Sequence, residues 1–467
     1  MDRLVEGPTC ADPALIKRYA GSGPRYTSYP TAPRFRDDFP VSTYVESVAN
    51  NTTDDALSLY VHIPFCNDIC YYCACNKVVT RQPGTAGRYL DALRQEIQLQ
   101  SELHSATRPI RQMHWGGGSP TYLDSAETTE LMHELAKSFS LLSAGYREYS
   151  IELDPRTTAA GSIALYKGLG FNRVSIGIQD FDPLVQKAIN RVQPLAMVRK
   201  LVEEIRHYGF RSVSFDLIYG LPHQDRFTME ASLDKVIALR PDRIACFNYA
   251  HLPERFSSQR AIDRLTLPTA AEKLALQAQI SATLQDAGYR HIGLDHYVLP
   301  EDDLAVAQNR GTLQRNFQGY SVKLADDLLG IGVSSISQIG DFYVQNARNL
   351  AEYYESLNAG HLPVTRGYQL TEEDRRRRHV IMELICNLHL DIADAGWPSQ
   401  EAFWQHFHAE REQLQTMVQD GLLDIESGVI RVTERGRPYL RNVCMIFDQY
   451  LGSEQDAANA PKYSAVV

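Results

Sequence analysis

The sequence has no run of about 20 consecutive apolar residues, the length a helix needs to cross a bilayer. Its first residues, MDRLVEGP, are acidic and lack the apolar core of a secretory signal. An excess of positive charge is also missing, because 47 Lys and Arg face 57 Asp and Glu, for a net charge of −10. This balance argues against general binding to nucleic acid or anionic lipid, although a few local arginines can still bind an anionic small molecule. We therefore expect a cytoplasmic protein with no membrane or nucleic-acid partner.

Cysteine is scarce, and its distribution excludes a disulfide framework. Of eight cysteines, four fall within the ten residues from Cys66 to Cys75, and the others are scattered. In a reducing cytosol, a tight cluster of this kind is typical of a metal or cofactor site.

Six β-rich segments alternate with amphipathic helical segments. This alternation favours parallel βαβ units, and six units predict a complete or partial β/α barrel. The predicted strands are 57–63, 110–115, 148–154, 173–179, 212–219 and 243–249.

Four of the predicted strands, 57–63, 148–154, 173–179 and 212–219, have one apolar and one polar face. In the first strand, Leu57, Leu59, Val61 and Ile63 share one face, and Ser58, Tyr60 and His62 share the other. The apolar faces are expected to meet the helices and leave a small, polar lumen. A solvent-facing antiparallel sheet has the same alternation and is the alternative. The carboxyl ends of barrel strands carry active sites, and here they hold polar side chains: Tyr60, His62, Glu152, Gln179 and Asp216.

The loop after the first strand carries Cys66, Cys70 and Cys73 with Cys-x₃-Cys-x₂-Cys spacing. Three thiolates on a compact loop can reach three irons of one [4Fe–4S] cubane, which leaves the fourth iron open to an added chelating ligand. A structural zinc site more often uses paired Cys-x₂-Cys knuckles. Zinc and a fully cysteine-ligated cluster remain the alternatives.

This spacing is similar to the motif of the radical S-adenosylmethionine superfamily. The stretch His114-Trp-Gly-Gly-Gly-Ser-Pro120 agrees with that resemblance, since glycines let the backbone approach a ligand closely. The resemblance implies that S-adenosylmethionine chelates the open iron and is cleaved to a 5′-deoxyadenosyl radical. The protein's part is then to orient the cofactors and to exclude oxygen and water.

Several longer motifs resemble the oxygen-independent coproporphyrinogen III oxidases (coproporphyrinogen dehydrogenases) of haem biosynthesis. One departure is Ser119, where that family more often has threonine. The matching segments are 24–30 (PRYTSYP), 60–66 (YVHIPFC), 73–77 (CACNK), 175–181 (SIGIQDF), 216–222 (DLIYGLP), 247–251 (FNYAH) and 315–320 (RNFQGY).

The family resemblance implies that two propionates of coproporphyrinogen III become the vinyl groups of protoporphyrinogen IX. It implies two S-adenosylmethionine molecules, an electron donor and an electron acceptor. The first S-adenosylmethionine would contact Tyr60, Gly117, Glu152 and Ile336. The second would contact Tyr72, Gly118, Ser119, Gln179, Arg191, Asp216 and Ala250. Tyr60, His62, Cys75 and Arg191 are the expected catalytic residues.

Cys75 could serve as a fourth cluster ligand, but it is too close to Cys73 in sequence to serve another corner comfortably. The resemblance makes it a non-ligand that is needed for activity. The four carboxylates of the substrate require cations, or else these side chains are ordinary surface residues; the candidates are Arg25, Arg34, Arg315 and Lys323. Tyr26 and Tyr29 are expected to help the N-terminal segment fold over the substrate.

After residue 360 the sequence becomes mostly helical. Leu370-Thr371 predicts a capped helix start, and 420–437 resembles the hairpin of a winged helix. The acidic surroundings favour a lid or support domain over a DNA-binding one. We predict a partial (β/α)₆ radical S-adenosylmethionine barrel in a monomer. The predicted division is an N-terminal arm (1–50), a barrel with its extension (51–360), a winged-helix-like domain (361–455) and a tail (456–467).

Two other functions fit parts of this pattern. A related haem-binding chaperone would keep the three cysteines, but such relatives generally lack the Cys-x-Cys-Asn extension and the Arg-Tyr-Thr-Ser-Tyr-Pro segment present here. A winged-helix regulator with a redox-sensing cluster would need a basic recognition surface. The sequence therefore favours the enzyme.

Overall fold

A computed structural model describes residues 13–51, 53–82, 84–143, 145–451 and 463. The first twelve residues of the predicted arm lie outside this range, as does the predicted tail apart from Tyr463. None of the helices in the described ranges is long and apolar enough to span a membrane.

The strands follow the chain in this order: β1 (Leu57–Ile63), β2 (Phe65–Cys66), β3 (Val78–Val79), β4 (Pro109–Gly117), β5 (Ser140–Leu141), β6 (Glu148–Leu153), β7 (Arg173–Gln179), β8 (Ser212–Tyr219), β9 (Arg243–Asn248), β10 (Arg290–Ile292), β11 (His296–Val298), β12 (Leu313–Asn316), β13 (Gly319–Val322), β14 (Asp327–Ile331), β15 (Ile336–Ile339), β16 (Phe342–Asn346), β17 (Val364–Gln369), β18 (His389–Asp391), β19 (Leu423–Glu426) and β20 (Val429–Val432).

The α-helices are α1 (Pro13–Tyr19), α2 (Val41–Ala49), α3 (Thr85–Leu103), α4 (Ser125–Ser138), α5 (Ser162–Gly168), α6 (Pro183–Ala188), α7 (Leu195–His207), α8 (Arg226–Leu239), α9 (Ala270–Asp286), α10 (Asp303–Asn309), α11 (Leu350–Asn358), α12 (Glu372–Asn387), α13 (Gln400–His406), α14 (His408–Gln419) and α15 (Leu440–Ile446).

The six predicted strands are β1, β4, β6, β7, β8 and β9. They pair in parallel in the spatial order β9-β8-β7-β6-β4-β1, so the antiparallel alternative is wrong for them. The sheet continues through β14, which is parallel to β1, and then through antiparallel β15, β16 and β17. At the other edge β11 and β10 are antiparallel. The order of strands among the described residues ends at β10 and β17 without closing, which confirms a partial rather than a complete barrel.

The alternation within the strands sorts their side chains as predicted. The apolar positions of β1, from Leu57 to Ile63, are at most 1% exposed and belong to the core against the helices. The polar positions face the lumen, where a cavity of about 240 Å³, the lumen cavity, is lined by Ser150, Ser175, Ser214 and Asp216 among others. Since parallel strands end at one rim of a sheet, their polar carboxyl ends meet there.

The C-terminal part combines α12 to α15 with a three-stranded sheet in the order β18-β20-β19. Helix α12 begins with a capping box between Thr371 and Asp374, which confirms the predicted capped start. Arm residues Leu15, Tyr26 and Tyr29 join the hydrophobic core of this part. Strand β17 extends the main sheet beyond residue 360, so the predicted boundary falls before the last strand of that sheet.

Candidate active site

Two cavities at the carboxyl rim of the parallel strands bring together most of the predicted site residues. The cluster cavity, about 270 Å³, is lined by Cys66, Cys70, Tyr72, Cys73, Cys75, Gly117, Gly118, Ser119, Glu152, Gln179, Arg191 and Asp216, among others. The neighbouring β1 cavity, about 330 Å³, is lined by Tyr60, His62, Cys75, Gly117, Glu152 and Ile336, among others. Glu152 lines both of these and the lumen cavity, so the three spaces adjoin.

One predicted residue, Ala250, lines neither rim cavity. A single side chain links it to the cluster cavity. Gln259 Nε2 donates to the carbonyl oxygens of both Ala250 and Tyr72, at 3.1 and 3.0 Å, and Tyr72 lines that cavity. The backbone of Ala250 is therefore fixed relative to a residue that does line the cluster cavity.

The cysteine loop is held by backbone contacts that leave its thiols facing the cluster cavity. Asn190 Nδ2 donates to the Ile69 carbonyl at 2.7 Å, and the Tyr71 N–H donates to the Ile189 carbonyl at 3.0 Å. In the described part of the chain, no three His, Cys, Asp or Glu side chains converge on a single ion. A cubane does not require such convergence, since each thiolate binds a different iron. Three cysteines that line one cavity therefore fit a [4Fe–4S] cluster.

Two arginines approach the thiol of Cys70. Arg156 Nη2 lies 3.5 Å and Arg191 Nη1 lies 3.6 Å from its Sγ. Asp154 accepts from both guanidinium groups, at 2.6 and 3.1 Å. Burial of Asp154 opposes ionisation, but the hydrogen bond from Arg156 and the charge of Arg191 outweigh it and lower its pKa to about 2. No role was predicted for Asp154 or Arg156, because their contacts with Arg191 join separate strands and loops.

Arg191 is already largely engaged by the protein. Its Nε and Nη2 donate to the Gly177 carbonyl at 3.2 and 2.7 Å, while Nη1 serves Asp154 and Cys70. A guanidinium is suited to a bidentate grip on a ligand carboxylate, but here that grip requires the side chain to exchange at least one of these contacts.

The glycine-rich turn after β4 allows the chain to approach itself. A Cβ added to Gly118 would lie 2.5 Å from the Pro64 carbonyl oxygen, and Gly117 has φ +116° with the His62 ring 2.6 Å from its Cβ position. Close approach of a ligand was the predicted reason for these glycines. The structure adds a nearer cause, because the turn packs directly against the end of β1.

Glu152 is oriented by two donors. His114 Nε2 lies 3.0 Å from Oε1, and the Gly117 N–H donates to Oε2 at 3.3 Å. His114 is itself held by Ser150 Oγ at 2.6 Å and stacks on Tyr60 with ring centroids 5.9 Å apart. His114 belongs to the glycine-rich motif, but no contact with Glu152 was predicted for it. Its position on the lumen face of β4 is the one sequence feature that could have indicated this contact.

The His62 imidazole links β1 to the loop that follows the cysteines. Burial lowers its pKa to about 4, so the ring is neutral at pH 7 and carries one N–H. Its Nε2 lies 3.1 Å from the Asn76 carbonyl oxygen, which can only accept. The proton is therefore on Nε2, and Nδ1 accepts from the Tyr60 hydroxyl at 2.9 Å.

Asp216 is the second buried carboxylate of the lumen. Burial and the charge of Glu152 raise its pKa to about 7, while Ser175 Oγ donates to it at 3.0 Å. It therefore binds a proton far more readily than an ordinary aspartate, and a cationic or hydrogen-bonding ligand would favour its ionised form.

The four substrate-binding candidates lie in different surroundings. Arg25 is partly exposed beside Phe247, which lines the cluster and lumen cavities. Arg315 is 2% exposed and 3.7 Å from Asp295. Arg34 donates to the Tyr450 carbonyl, and Lys323 pairs with Asp326. Arg25 therefore lies beside a residue that lines both cavities, whereas Arg315 stacks over Tyr320, which lines the lumen cavity alone.

These features define the radical S-adenosylmethionine class. The first strand of a parallel sheet leads into a loop with three thiols, and a glycine-rich turn and an oriented glutamate line the same cavity. The family model for the radical SAM superfamily matches residues 60–236, and the model for the HemN C-terminal domain matches residues 370–439. Membership of this superfamily implies a [4Fe–4S] cluster and S-adenosylmethionine.

Comparison with individual relatives identifies one family within this superfamily. The chain is 45% identical to an oxygen-independent coproporphyrinogen III oxidase of Pseudomonas aeruginosa and 44% identical to one of Escherichia coli, covering 98% of each chain in both cases. The crystal structure of the Escherichia coli coproporphyrinogen III oxidase, a radical SAM enzyme, superposes with a TM-score of 0.88 at 44% identity, over 94% of this chain and 99% of that one. The chain therefore belongs to the oxygen-independent coproporphyrinogen III oxidase family.

Proposed function

We propose that this chain converts coproporphyrinogen III to protoporphyrinogen IX without oxygen, in haem biosynthesis. The similarity to oxygen-independent coproporphyrinogen III oxidases along 98% of the chain carries this conclusion, since it includes the arm and the C-terminal part as well as the barrel. Each of two propionates loses a hydrogen atom from its β-carbon, one electron and carbon dioxide, and a vinyl group remains.

Cys66, Cys70 and Cys73 would hold the cluster, because all three line the cluster cavity. When bound, the cluster and S-adenosylmethionine supply a 5′-deoxyadenosyl radical that takes the substrate hydrogen. Cys75 lines the cluster and β1 cavities, and we propose that it contacts substrate or cofactor rather than binding iron.

The first S-adenosylmethionine would lie between Tyr60, Gly117, Glu152 and Ile336, all of which line the β1 cavity. The carboxylate of Glu152 is suited to an amino group, and His114 fixes its direction. The neutral His62 ring holds the Tyr60 hydroxyl and the Asn76 backbone, so it shapes this cavity without adding charge.

A second S-adenosylmethionine would lie against Tyr72, Gly118, Ser119, Gln179, Arg191 and Asp216, with Ala250 behind Tyr72. Arg191 would bind a carboxylate in exchange for its contact to Asp154 or Gly177. The two predicted sets of contacts, apart from Ala250, line two adjoining cavities, which supports this arrangement of two molecules.

Arg25 is our candidate for a substrate carboxylate, since the arm places it beside Phe247. We further propose that the enzyme acts in the cytoplasm as a monomer, with a separate electron donor and acceptor. Sedimentation of the purified chain would test the monomer, because a dimer would have twice the mass of 52.7 kDa.

An anaerobic assay tests the function directly. The reconstituted protein, given coproporphyrinogen III, S-adenosylmethionine, a reductant and an electron acceptor, should release carbon dioxide and form divinyl product together with methionine and 5′-deoxyadenosine. Cys66→Ala should abolish both the cluster absorbance and the product. An intact cluster with S-adenosylmethionine cleavage but no vinyl product would contradict the assignment.

A further inference from the structure

A carboxylate is buried in the core outside the cavities described above. Glu96, on the inner face of α3, is 0% exposed and has no ion-pair partner among the described residues. Burial raises its pKa to about 7, which shows that the site disfavours its charge. An isolated carboxylate in a protein core is costly, so its surroundings must compensate for it.

Three donors surround Glu96. The Gly332 N–H donates to Oε2 at 2.8 Å, Asn346 Nδ2 to Oε1 at 2.6 Å, and the Tyr353 hydroxyl to Oε2 at 2.5 Å. Asn346 Nδ2 also reaches the Gly332 carbonyl at 2.9 Å and Ser335 Oγ at 3.1 Å. The carboxylate thus binds Gly332, at the start of the short turn that joins β14 to β15, directly, and it reaches Ser335, at the end of that turn, through Asn346.

A second side chain of α3 fixes the same turn. The Tyr89 hydroxyl, two helical turns before Glu96, accepts from the Val333 N–H at 3.1 Å and donates to the His62 carbonyl at 2.7 Å. Gly332 has φ +103°, and a Cβ there would lie 2.5 Å from the Tyr89 hydroxyl oxygen. Helix α3 therefore fixes two successive amides of the turn and ties the turn to the end of β1.

The turn leads directly into the β1 cavity, which Ser334, Ser335 and Ile336 line together with Tyr60 and His62. We propose that Glu96 is a positioning residue of the active site, which holds the Gly332–Ser335 turn so that Ile336 stands at the right place for S-adenosylmethionine. This inference rests on the proposed position of the first S-adenosylmethionine beside Tyr60 and Ile336.

Glu96→Gln is a sharp test, because it keeps the volume and replaces one acceptor by an NH₂ group that must face a donor. Tyr353→Phe is a milder change that removes one of the three donors. Asp374→Asn is the matched control. Asp374 is also 0% exposed and accepts from the Tyr450 hydroxyl at 2.6 Å and Gln449 Nε2 at 3.1 Å, and neither it nor these partners line the rim cavities.

The measurements are the iron content of the reconstituted enzyme, its dissociation constant for S-adenosylmethionine, its Tm, and hydrogen exchange over 328–340 without S-adenosylmethionine. Glu96→Gln should keep its iron, exchange faster in that segment, and bind S-adenosylmethionine about tenfold more weakly. Tyr353→Phe should change the same quantities in the same direction by about threefold. Asp374→Asn should lower Tm without changing either affinity or exchange in 328–340.

Affinity within about twofold of wild type in Glu96→Gln, despite a lowered Tm, would overturn the inference, because the role would then be purely structural. If Glu96→Gln does not fold, Tyr353→Phe decides by the same criteria. Ile336→Ala separates the two proposals. Weakened binding in Ile336→Ala with unchanged binding in the other variants refutes only the role of Glu96, whereas unchanged binding in all of them also refutes the proposed position of S-adenosylmethionine.

Discussion

Cys75 shows how closely placed thiols can take different roles. It lies two residues from Cys73, is exposed, and lines the β1 cavity, which none of Cys66, Cys70 and Cys73 lines. The position of its side chain between two cavities suits contact with substrate or cofactor better than a fourth corner of the cluster.

We expect Cys75→Ser to keep the iron content and the visible absorbance of the reconstituted enzyme while product formation falls at least about 100-fold, as on loss of a group acting in proton transfer. The hydroxyl keeps the size of the thiol but not its acidity or redox chemistry. Iron analysis, absorbance and the anaerobic assay check this on one sample. Cys73→Ser is the control that should lose iron, and loss of iron in Cys75→Ser would instead make it a ligand.

Sequence reasoning located the side chains of the site better than the contacts between them. Tyr60, Glu152 and Asp216 follow from strand alternation, since every second residue of a parallel strand faces the lumen. The hydrogen bonds of His114 to Glu152 and of Arg156 to Asp154 depend on rotamers and loop paths, which strand periodicity does not encode.

At the scale of elements, the turn after β4 depends on a glycine. Gly118→Ala would place a Cβ 2.5 Å from the backbone oxygen of Pro64, and the backbone there cannot shift without moving the cysteine loop. We expect loss of most activity and weaker binding of S-adenosylmethionine, measured by the anaerobic assay and by equilibrium binding.

Gly87→Ala is the matched control for this change, because Gly87 is inside α3 and a Cβ there meets nothing within 4 Å. Alanine should stabilise that helix by up to about 1 kcal/mol and leave activity unchanged. Equal activity of the two alanine variants would mean that the glycine turn tolerates a side chain.

The end of α3 gives a prediction about pH. Burial and the charge of Arg108 lower the pKa of His104 to about 4, and neither ring nitrogen has a hydrogen-bond partner among the described residues. The unfolded histidine has a pKa of about 6.5, so between pH 6.5 and 4 the unfolded chain binds a proton that the folded chain does not. This residue therefore reduces stability as the pH falls.

His104→Leu removes that penalty. The gain in the free energy of unfolding of the variant over wild type should be small at pH 7 and larger at pH 5, with a slope approaching about 1.4 kcal/mol per pH unit below pH 6.5, and the gain in Tm should follow it. Thermal melts of the apo-protein at pH 7, 6 and 5 measure the difference. A gain that stays constant or shrinks on acidification would show that His104 is not held neutral in the folded protein.

The strands of the barrel were predictable and those of its extension were not. All six predicted strands match within a few residues, because each is a short segment rich in apolar residues, and four of them also alternate clearly between apolar and polar positions. Strand β14 and the antiparallel strands β15 to β17 are short, and partners such as Val344 with Gly367 are distant in sequence. Their pairing depends on tertiary contacts that no local pattern reveals.

At the scale of the whole molecule, the N-terminal arm joins the C-terminal part to the barrel. Tyr26 is 1% exposed and donates to Asp448 at 3.0 Å, and Arg441 donates to the Pro24 carbonyl at 3.1 Å. Between these anchors, Arg25 points the other way and donates to the Asn248 carbonyl at the end of β9 at 2.8 Å. The C-terminal part thus holds the arm across the mouth of the barrel.

This arrangement predicts that Arg25 acts on the substrate and not on the fold. Its guanidinium is 30% exposed and its nearest carboxylate, Asp295, is 3.7 Å away and also faces Arg315. Arg25→Ala should therefore leave Tm within a few degrees, since a partly exposed ion pair contributes at most about 1 kcal/mol. It should raise the KM for coproporphyrinogen III about tenfold while the affinity for S-adenosylmethionine stays the same.

Arg36→Ala, which removes an exposed arginine of the same arm paired with Asp38, is the matched control and should change neither constant. If the two variants have the same KM as wild type, the arm holds the C-terminal part to the barrel without contacting substrate carboxylates, and the cations for them must come from elsewhere around the lumen.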